Sequence, residues 1–200
     1  METIGWPNWT ILIFGAVMIG GFVWRTEQMR RSSGINPYRL KADDSPMGEI
    51  GKWYKRVTLL VMLYAVARCF WDIDIHTGPF AAFYLPAVQW AGVVVTSFGI
   101  VWSLAAQAQM SDSWRIGIPD DEPGALVDRG LFSISRNPFF LGSVIFNLGM
   151  FLMLPSWFML MMLTLGWVAV NIQVRLEEEF LTRSIGDDYL VYKEKVRRWV

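Results

Sequence analysis

The sequence has few of the residues on which soluble enzymes and metal centres depend. Only 18% of its 200 residues are charged, whereas an ordinary soluble domain carries roughly 25%. One cysteine, Cys69, excludes a disulfide framework and a four-cysteine zinc site, and one histidine, His76, excludes a histidine-cluster metal site. The formal net charge is zero, which argues against general electrostatic attraction to nucleic acid. We therefore expect neither a metal nor a nucleic-acid partner.

Apolar side chains dominate the chain instead. Hydrophobic residues make up 54% of it, with 11 Trp, 13 Phe and 11 Met. A helix crosses the hydrocarbon core with about 20 mostly apolar residues, and five stretches of the sequence qualify. We predict an all-α, polytopic membrane protein with five transmembrane helices and a cytoplasmic C-terminal helical extension. The predicted spans are residues 4–24, 53–71, about 80–106, 138–154 and 157–174.

The basic residues predict an orientation. Lys and Arg are concentrated in residues 25–56, 107–137 and 175–200, and they are absent from residues 72–79 and 155–156. Since basic loops remain in the cytoplasm, we expect the N-terminus outside and the C-terminus with the active site in the cytoplasm. One charge lies inside an apolar stretch, and we expect this residue, Arg68, to be an interfacial arginine paired with Asp72 at i+4.

The sequence contains no GxGxxG, P-loop, HExxH or GxSxG motif. Polar residues are instead massed at the predicted cytoplasmic ends of the last three spans. Pro138 suits the first turn of a helix, and it disfavours helical backbone at Asn137. Arg136 and Asn137 therefore lie at a helix N-terminus, where free N–H groups favour an anion. A plain helix cap with an interfacial arginine explains the same residues, and both interpretations remain open at this point.

A second polar cluster follows the last predicted span. Asn171, Arg175 and Glu178 are spaced at i, i+4 and i+7, which places them on one face of a helix. Glu177 and Glu179 flank Glu178. Three adjacent glutamates at a membrane edge are either solvated or face a cation. The closing segment of residues 197–199, Arg-Arg-Trp, predicts a basic, aromatic return to the lipid surface.

Taken together, the motifs of the C-terminal half form one pattern. They are Leu126-Val127, Gly130-Leu131-Phe132, Arg136-Asn137-Pro138-Phe139-Phe140-Leu141-Gly142, Glu177-Glu178-Glu179-Phe180-Leu181, Gly186 and Tyr189-Leu190-Val191-Tyr192. In this order and spacing they resemble the isoprenylcysteine carboxyl methyltransferase family of integral membrane methyltransferases, and more loosely the phospholipid methyltransferases. The resemblance implies that the Arg-Asn-Pro corner and the triple-glutamate helix meet around S-adenosylmethionine, without a Rossmann domain.

The resemblance also implies a function and a site. We expect an S-adenosylmethionine-dependent methyltransferase that acts at the membrane on a lipophilic small molecule or a lipid-linked, prenylcysteine-like acceptor carrying a carboxylate, thiol or amine. Residues 1–110 would form the bundle on the substrate side, and residues 111–200 would bind the cofactor. The candidate catalytic residues are Arg136, Arg175 and Glu178. The candidate cofactor-binding residues are Gly117, Gly124, Ala125, Leu126, Val127, Phe132, Asn137, Pro138, Phe139, Phe140 and Glu177.

This chain departs from the family pattern in ways that keep other functions open. His commonly stands at Asn137 and Tyr at Phe140, and the arginine that faces a substrate carboxylate aligns with Gln173. An NADPH-dependent membrane ene- or sterol-type reductase is one alternative, although Phe139-Phe140 and Ser143 replace the Asn-Tyr and Glu of its motif. A non-catalytic membrane accessory protein is the other alternative, although the retained Arg-Asn-Pro and glutamate motifs argue against it.

Overall fold

The computed structural model describes residues 6–33, 46–71, 73, 80–110 and 125–200. These residues form six α-helices and two short 3-10 turns, and no β-strand occurs among them. The turns are Ala81–Phe83 and Gly130–Ser133. The helices are α1 (Trp6–Ser33), α2 (Pro46–Phe70), α3 (Pro86–Met110), α4 (Pro138–Met153), α5 (Trp157–Ile185) and α6 (Asp187–Lys195).

Three of the described helices, α1, α3 and α5, are long and apolar enough to cross a membrane. The apolar face of α3 points outward, where Val94 and Val101 are each 67% exposed. The fourth helix is apolar but has 16 residues, or about 24 Å at 1.5 Å per residue. These features confirm the predicted all-helical membrane protein. The count of five spans and the orientation remain predictions.

The third and fourth helices pack with their backbones in contact. Small residues line the crossing, and a Cβ built on Gly99 would lie 2.5 Å from the Phe146 backbone nitrogen. Close approach through small residues is a common way for membrane helices to associate. Since α3 belongs to the predicted region 1–110 and α4 to the predicted region 111–200, the two regions pack together through this helix pair. Their division into functional regions remains a prediction.

A buried arginine joins the helices at one end of the bundle. Arg68 is 3% exposed, and its guanidinium donates to Asn8 Oδ1 at 3.1 Å and to Tyr84 Oη at 2.9 Å. The Tyr64 hydroxyl lies 3.0 Å from the Ser156 hydroxyl at the start of α5. The Arg68 side chain is therefore enclosed by polar groups of neighbouring segments, and its position at the membrane interface remains a prediction. Asp72, its expected partner, lies outside the described residues.

The other end of the bundle carries the polar motifs. Glu178 follows Ser156 by 22 residues along α5, which is about 33 Å of helix. We call the end of the bundle that contains Glu178 the inner end. Gly186 separates α5 from α6 with φ 71° and ψ −132°, a conformation that residues with a Cβ rarely adopt. The sharp turn at Gly186 directs α6 and the C-terminal residues back towards the start of α4.

Candidate active site

The two polar clusters predicted from the sequence are in contact at the inner end. Asn137 has φ −130° and ψ 52°, outside the helical region as expected before a proline, and α4 begins immediately after it. The Glu178 side chain is 4% exposed and accepts a hydrogen bond from Asn137 Nδ2 at 3.0 Å. Arg136 forms a salt bridge with Glu178 at 3.2 Å. The anion at this corner is therefore a carboxylate of the protein itself.

A second arginine, Arg198, completes this cluster. Its NH2 group lies 2.8 Å from Glu178 Oε2. The hydrogen bond to Glu178 raises the pKa of Arg198 above its ordinary value. We define Arg136, Asn137, Glu178 and Arg198 as the Glu178 cluster. Arg198 was not predicted as a site residue, because the closing basic residues were expected at the lipid surface and the burial of its partner Glu178 is not readable from the sequence.

The C-terminal segment is attached to the corner by its backbone as well. Arg136 NH1 donates to the carbonyls of Lys193 at 3.0 Å and Val196 at 2.8 Å, and its backbone N–H donates to the Arg197 carbonyl at 3.0 Å. The Trp199 ring lies 5.3 Å from the Trp167 ring of α5. Arg136 therefore directs all three of its guanidinium nitrogens to groups of the protein.

The three consecutive glutamates occupy three different environments, because successive residues of a helix point about 100° apart. Glu178 is buried in its cluster, whereas Glu179 is exposed and pairs with Arg183 on the helix surface. Glu177 is half-buried, and its Oε1 accepts a hydrogen bond of 2.6 Å from Nε2 of Gln173. The sequence left open whether these glutamates are solvated or face a cation, and the answer differs for each of them. Glu179 is solvated, Glu178 faces cations, and Glu177 lies beside a neutral amide.

The segment before α4 packs on α6. Leu126 contacts the buried cluster of Tyr189, Tyr192 and Val196. The Tyr192 hydroxyl donates to the Phe132 carbonyl at 2.6 Å, and burial raises the pKa of Tyr192 to about 12. Ala125 is exposed and Val127 is half-buried. Two further candidates, Gly117 and Gly124, lie outside the described residues.

The first turn of α4 lies between α1 and α3. Pro138 is buried, and its carbonyl accepts a hydrogen bond of 2.9 Å from Trp102 Nε1. The Phe139 ring lies 5.8 Å from the Phe22 ring of α1. Phe140 is half-buried. Helices α1 and α3 therefore hold the start of α4 in place.

Arg175 is the candidate catalytic residue that the structure does not bring to the Glu178 cluster. Its side chain is exposed on α5, three residues before the buried Glu178. The shared face predicted for Asn171, Arg175 and Glu178 is therefore divided between the surface and the interior. Among the residues that the structure describes, no group of three or more His, Cys, Asp or Glu side chains is placed to hold a metal ion.

A model of the phospholipid methyltransferase family matches residues 87–188, half of the chain, including the corner at Asn137 and the glutamates at the end of α5. The chain belongs to the phospholipid methyltransferase family. This confirms the resemblance to integral membrane methyltransferases. An uncharacterized protein of Haemophilus influenzae is 36% identical over 61 residues, which cover 26% of this chain and 97% of that protein. Membership of the phospholipid methyltransferase family and the apolar helices together identify a membrane methyltransferase.

Proposed function

We propose that the protein is a multi-pass membrane enzyme that transfers a methyl group from S-adenosylmethionine to a lipophilic acceptor at the cytoplasmic face of the membrane. One observation carries the proposal: the Arg-Asn-Pro corner and the end of α5 touch inside the family-matched region. Their contact leaves Glu177 as a half-buried carboxylate outside the Glu178 cluster. Such a carboxylate is available to a cationic ligand.

The side chains at the inner end suit this cofactor. When bound, S-adenosylmethionine supplies a methyl group on a positively charged sulfur. No described residue donates a hydrogen bond to Glu177 Oε2 or to Asn137 Oδ1, so both oxygens can accept from the ammonium or hydroxyl groups of the cofactor. Phe140 is half-buried, and the electron-rich face of its ring would attract the positively charged sulfur. The remaining candidate residues would form the walls of the cofactor site. They are residues 124–127, 132 and 138–139, together with Gly117.

Arg136 and Glu178 act in this proposal as positioning residues. Since the Arg136 guanidinium is directed to groups of the protein, its part is to hold Asn137, the C-terminal segment and α5 in one arrangement. Methyl transfer requires alignment of the reacting atoms at about 3–3.5 Å and exclusion of water. A site with rigid walls and without histidine meets these needs when the acceptor is itself a nucleophile.

Gln173 limits the chemical classes of methyl acceptor that the site would bind. Prenylcysteine methyltransferases carry an arginine at this position for a substrate carboxylate, whereas Gln173 is 6% exposed and donates to Glu177. A neutral amide bound to a carboxylate gives a substrate carboxylate no positive partner. We therefore favour an amine, a thiol or a lipid headgroup as acceptor. The exposed Arg175 remains a candidate for contact with that headgroup at the membrane surface.

The proposal is tested by calorimetry on the purified protein in detergent. We expect binding of S-adenosylmethionine and S-adenosylhomocysteine and no binding of NADPH. Glu177→Gln should weaken S-adenosylhomocysteine binding at least tenfold with unchanged thermal unfolding, because it removes a charge-assisted contact worth about 1.5–3 kcal/mol. Glu179→Gln is the matched control and should bind as the wild type does. Binding of NADPH without either methyl-cycle ligand would favour the reductase instead.

A further inference from the structure

Tyr54 carries a buried hydroxyl whose hydrogen-bonding capacity is unused. It lies in the half of α2 nearer the inner end, 14 residues before Arg68, or about 21 Å along the helix. Its Oη is buried and has no hydrogen-bond partner among the described residues. Buried polar side-chain atoms are satisfied in the large majority of native proteins. The position therefore indicates a partner that the described residues do not supply.

The surroundings of the hydroxyl point to the cofactor site. Helix α2, which carries Tyr54, packs against α5, which carries Glu177, and the Glu177 carboxylate acts electrostatically on the Tyr54 hydroxyl. One oxygen of Glu177 is held by Gln173 at 2.6 Å, and no described residue donates to the other. Tyr54 on α2 and Glu177 on α5 thus present a hydrogen-bond donor and a hydrogen-bond acceptor to the same region.

Other polar atoms at the inner end have the same character. Gln107 Nε2 donates to Thr26 Oγ1 at 2.9 Å, which places the end of α3 beside α1. Gln107 Oε1 is nevertheless buried without a partner in the described part of the chain, and so is Nε of Arg25, the residue before Thr26 in α1. The inner ends of α1, α2 and α3 therefore each carry an unsatisfied buried polar atom.

We propose that the Tyr54 hydroxyl donates a hydrogen bond to the carboxylate of the amino-acid group of S-adenosylmethionine, whose ammonium group is bound by Glu177. This rests on the proposed function and extends it to a residue in the first part of the chain. A carboxylate alone would be repelled by Glu177. In the amino-acid group an ammonium lies beside the carboxylate, so the ammonium can bind Glu177 while the carboxylate accepts a hydrogen bond from the Tyr54 hydroxyl. This hydrogen bond offsets the repulsion between the two carboxylates.

The experiment compares Tyr54→Phe with the wild type, using two ligands. S-adenosylhomocysteine carries the amino-acid group, and methylthioadenosine lacks it. We expect the Kd for S-adenosylhomocysteine to rise about tenfold or more, as for the loss of one hydrogen bond to a charged group. The affinity for methylthioadenosine, measured by competition, should stay within twofold. Equal weakening of both ligands, or an unchanged Kd for S-adenosylhomocysteine, would overturn the assignment.

Thermal unfolding separates this role from a structural one. The Tyr54 hydroxyl makes no hydrogen bond in the described structure, so Tyr54→Phe should unfold without ligand at the wild-type temperature or above it. Its stabilisation by S-adenosylhomocysteine should be smaller than that of the wild type. Tyr64→Phe is the matched control, because the Tyr64 hydroxyl bonds Ser156 at the opposite end: its unliganded Tm should fall and its ligand affinity should not change. A lower unliganded Tm for Tyr54→Phe would show a structural role. If folded wild-type protein binds neither ligand, the proposed function itself fails.

Discussion

Glu178 is predicted to be the main electrostatic support of the inner end, and Glu178→Gln tests this directly. The substitution keeps the size of the side chain and removes its charge. It leaves Arg136, whose side chain is 10% exposed, and Arg198, at 33%, without their carboxylate. The new amide can still accept a hydrogen bond from Asn137. The substitution removes the charge and, because an NH2 group replaces one carboxylate oxygen, it also removes hydrogen bonds that this oxygen accepts from Arg136 and Arg198.

The magnitude follows from burial. Removing one partner of a buried ion pair typically costs about 3–5 kcal/mol, since the remaining charge is left uncompensated. We assign most of this cost to Arg136, because the partly exposed Arg198 can recover some solvation. For a chain of 150–250 residues, 1 kcal/mol shifts the Tm by roughly 2–4 °C. Glu178→Gln should therefore lower the Tm by roughly 6–20 °C.

The assay is thermal unfolding in detergent, with Glu179→Gln as the control. Glu179 pairs with Arg183 on the helix surface, with both side chains more than half exposed, and such pairs contribute about 0–1 kcal/mol. The control should therefore lose less than about 4 °C. In the double variant Arg136→Gln/Glu178→Gln, the loss should be smaller than the sum of the single losses, because the uncompensated charge is also removed. Equal small losses for Glu178→Gln and Glu179→Gln would refute this account.

Two further predictions concern packing and the C-terminal segment. Gly99→Ala places a Cβ 2.5 Å from the Phe146 backbone nitrogen and should destabilise the α3–α4 pair by about 1–3 kcal/mol, whereas Gly20→Ala, which meets nothing within 4 Å, should leave the Tm unchanged or raise it. Arg198→Ala should cost about 1–3 kcal/mol and expose the C-terminal segment to proteolysis, while the exposed Arg197→Ala should change stability by less than about 0.5 kcal/mol. A destabilised Gly20→Ala, or equal proteolysis of both arginine variants, would contradict these predictions.

Much of the architecture is readable from local signals. Long apolar runs predict helices because the backbone must be satisfied internally in lipid, and α1, α3 and α5 follow this rule. The start of α4 was predictable because Pro138 sets the geometry of Asn137 before any tertiary contact forms. The meeting of Asn137 and Glu178 was implied by the family resemblance, whose motifs encode a shared spatial arrangement.

The remaining features depend on tertiary packing, which a single sequence does not contain. Helical spacing alone placed Arg175 and Glu178 together, but Glu178 is buried among Arg136, Asn137 and Arg198. Arg175 is exposed. Arg198 was expected at the lipid surface because its partner lies 20 positions away. Arg68 was expected at the interface, and only the neighbouring helices show that polar groups enclose it. For each of these arginines, the segments that pack against it, rather than its residue type, determine whether its side chain is buried or exposed.

Transfer of a radiolabelled methyl group is the most direct test of the central claim. Reconstituted protein would be incubated with labelled S-adenosylmethionine and a total lipid extract, and label would be counted in the organic phase. We predict label in a lipid product for the wild type and Glu179→Gln, and at least a tenfold lower amount for Glu177→Gln at subsaturating cofactor. The account would be contradicted if the wild-type protein shows a cooperative thermal unfolding transition, and is therefore folded, but transfers no label to any lipid of the extract.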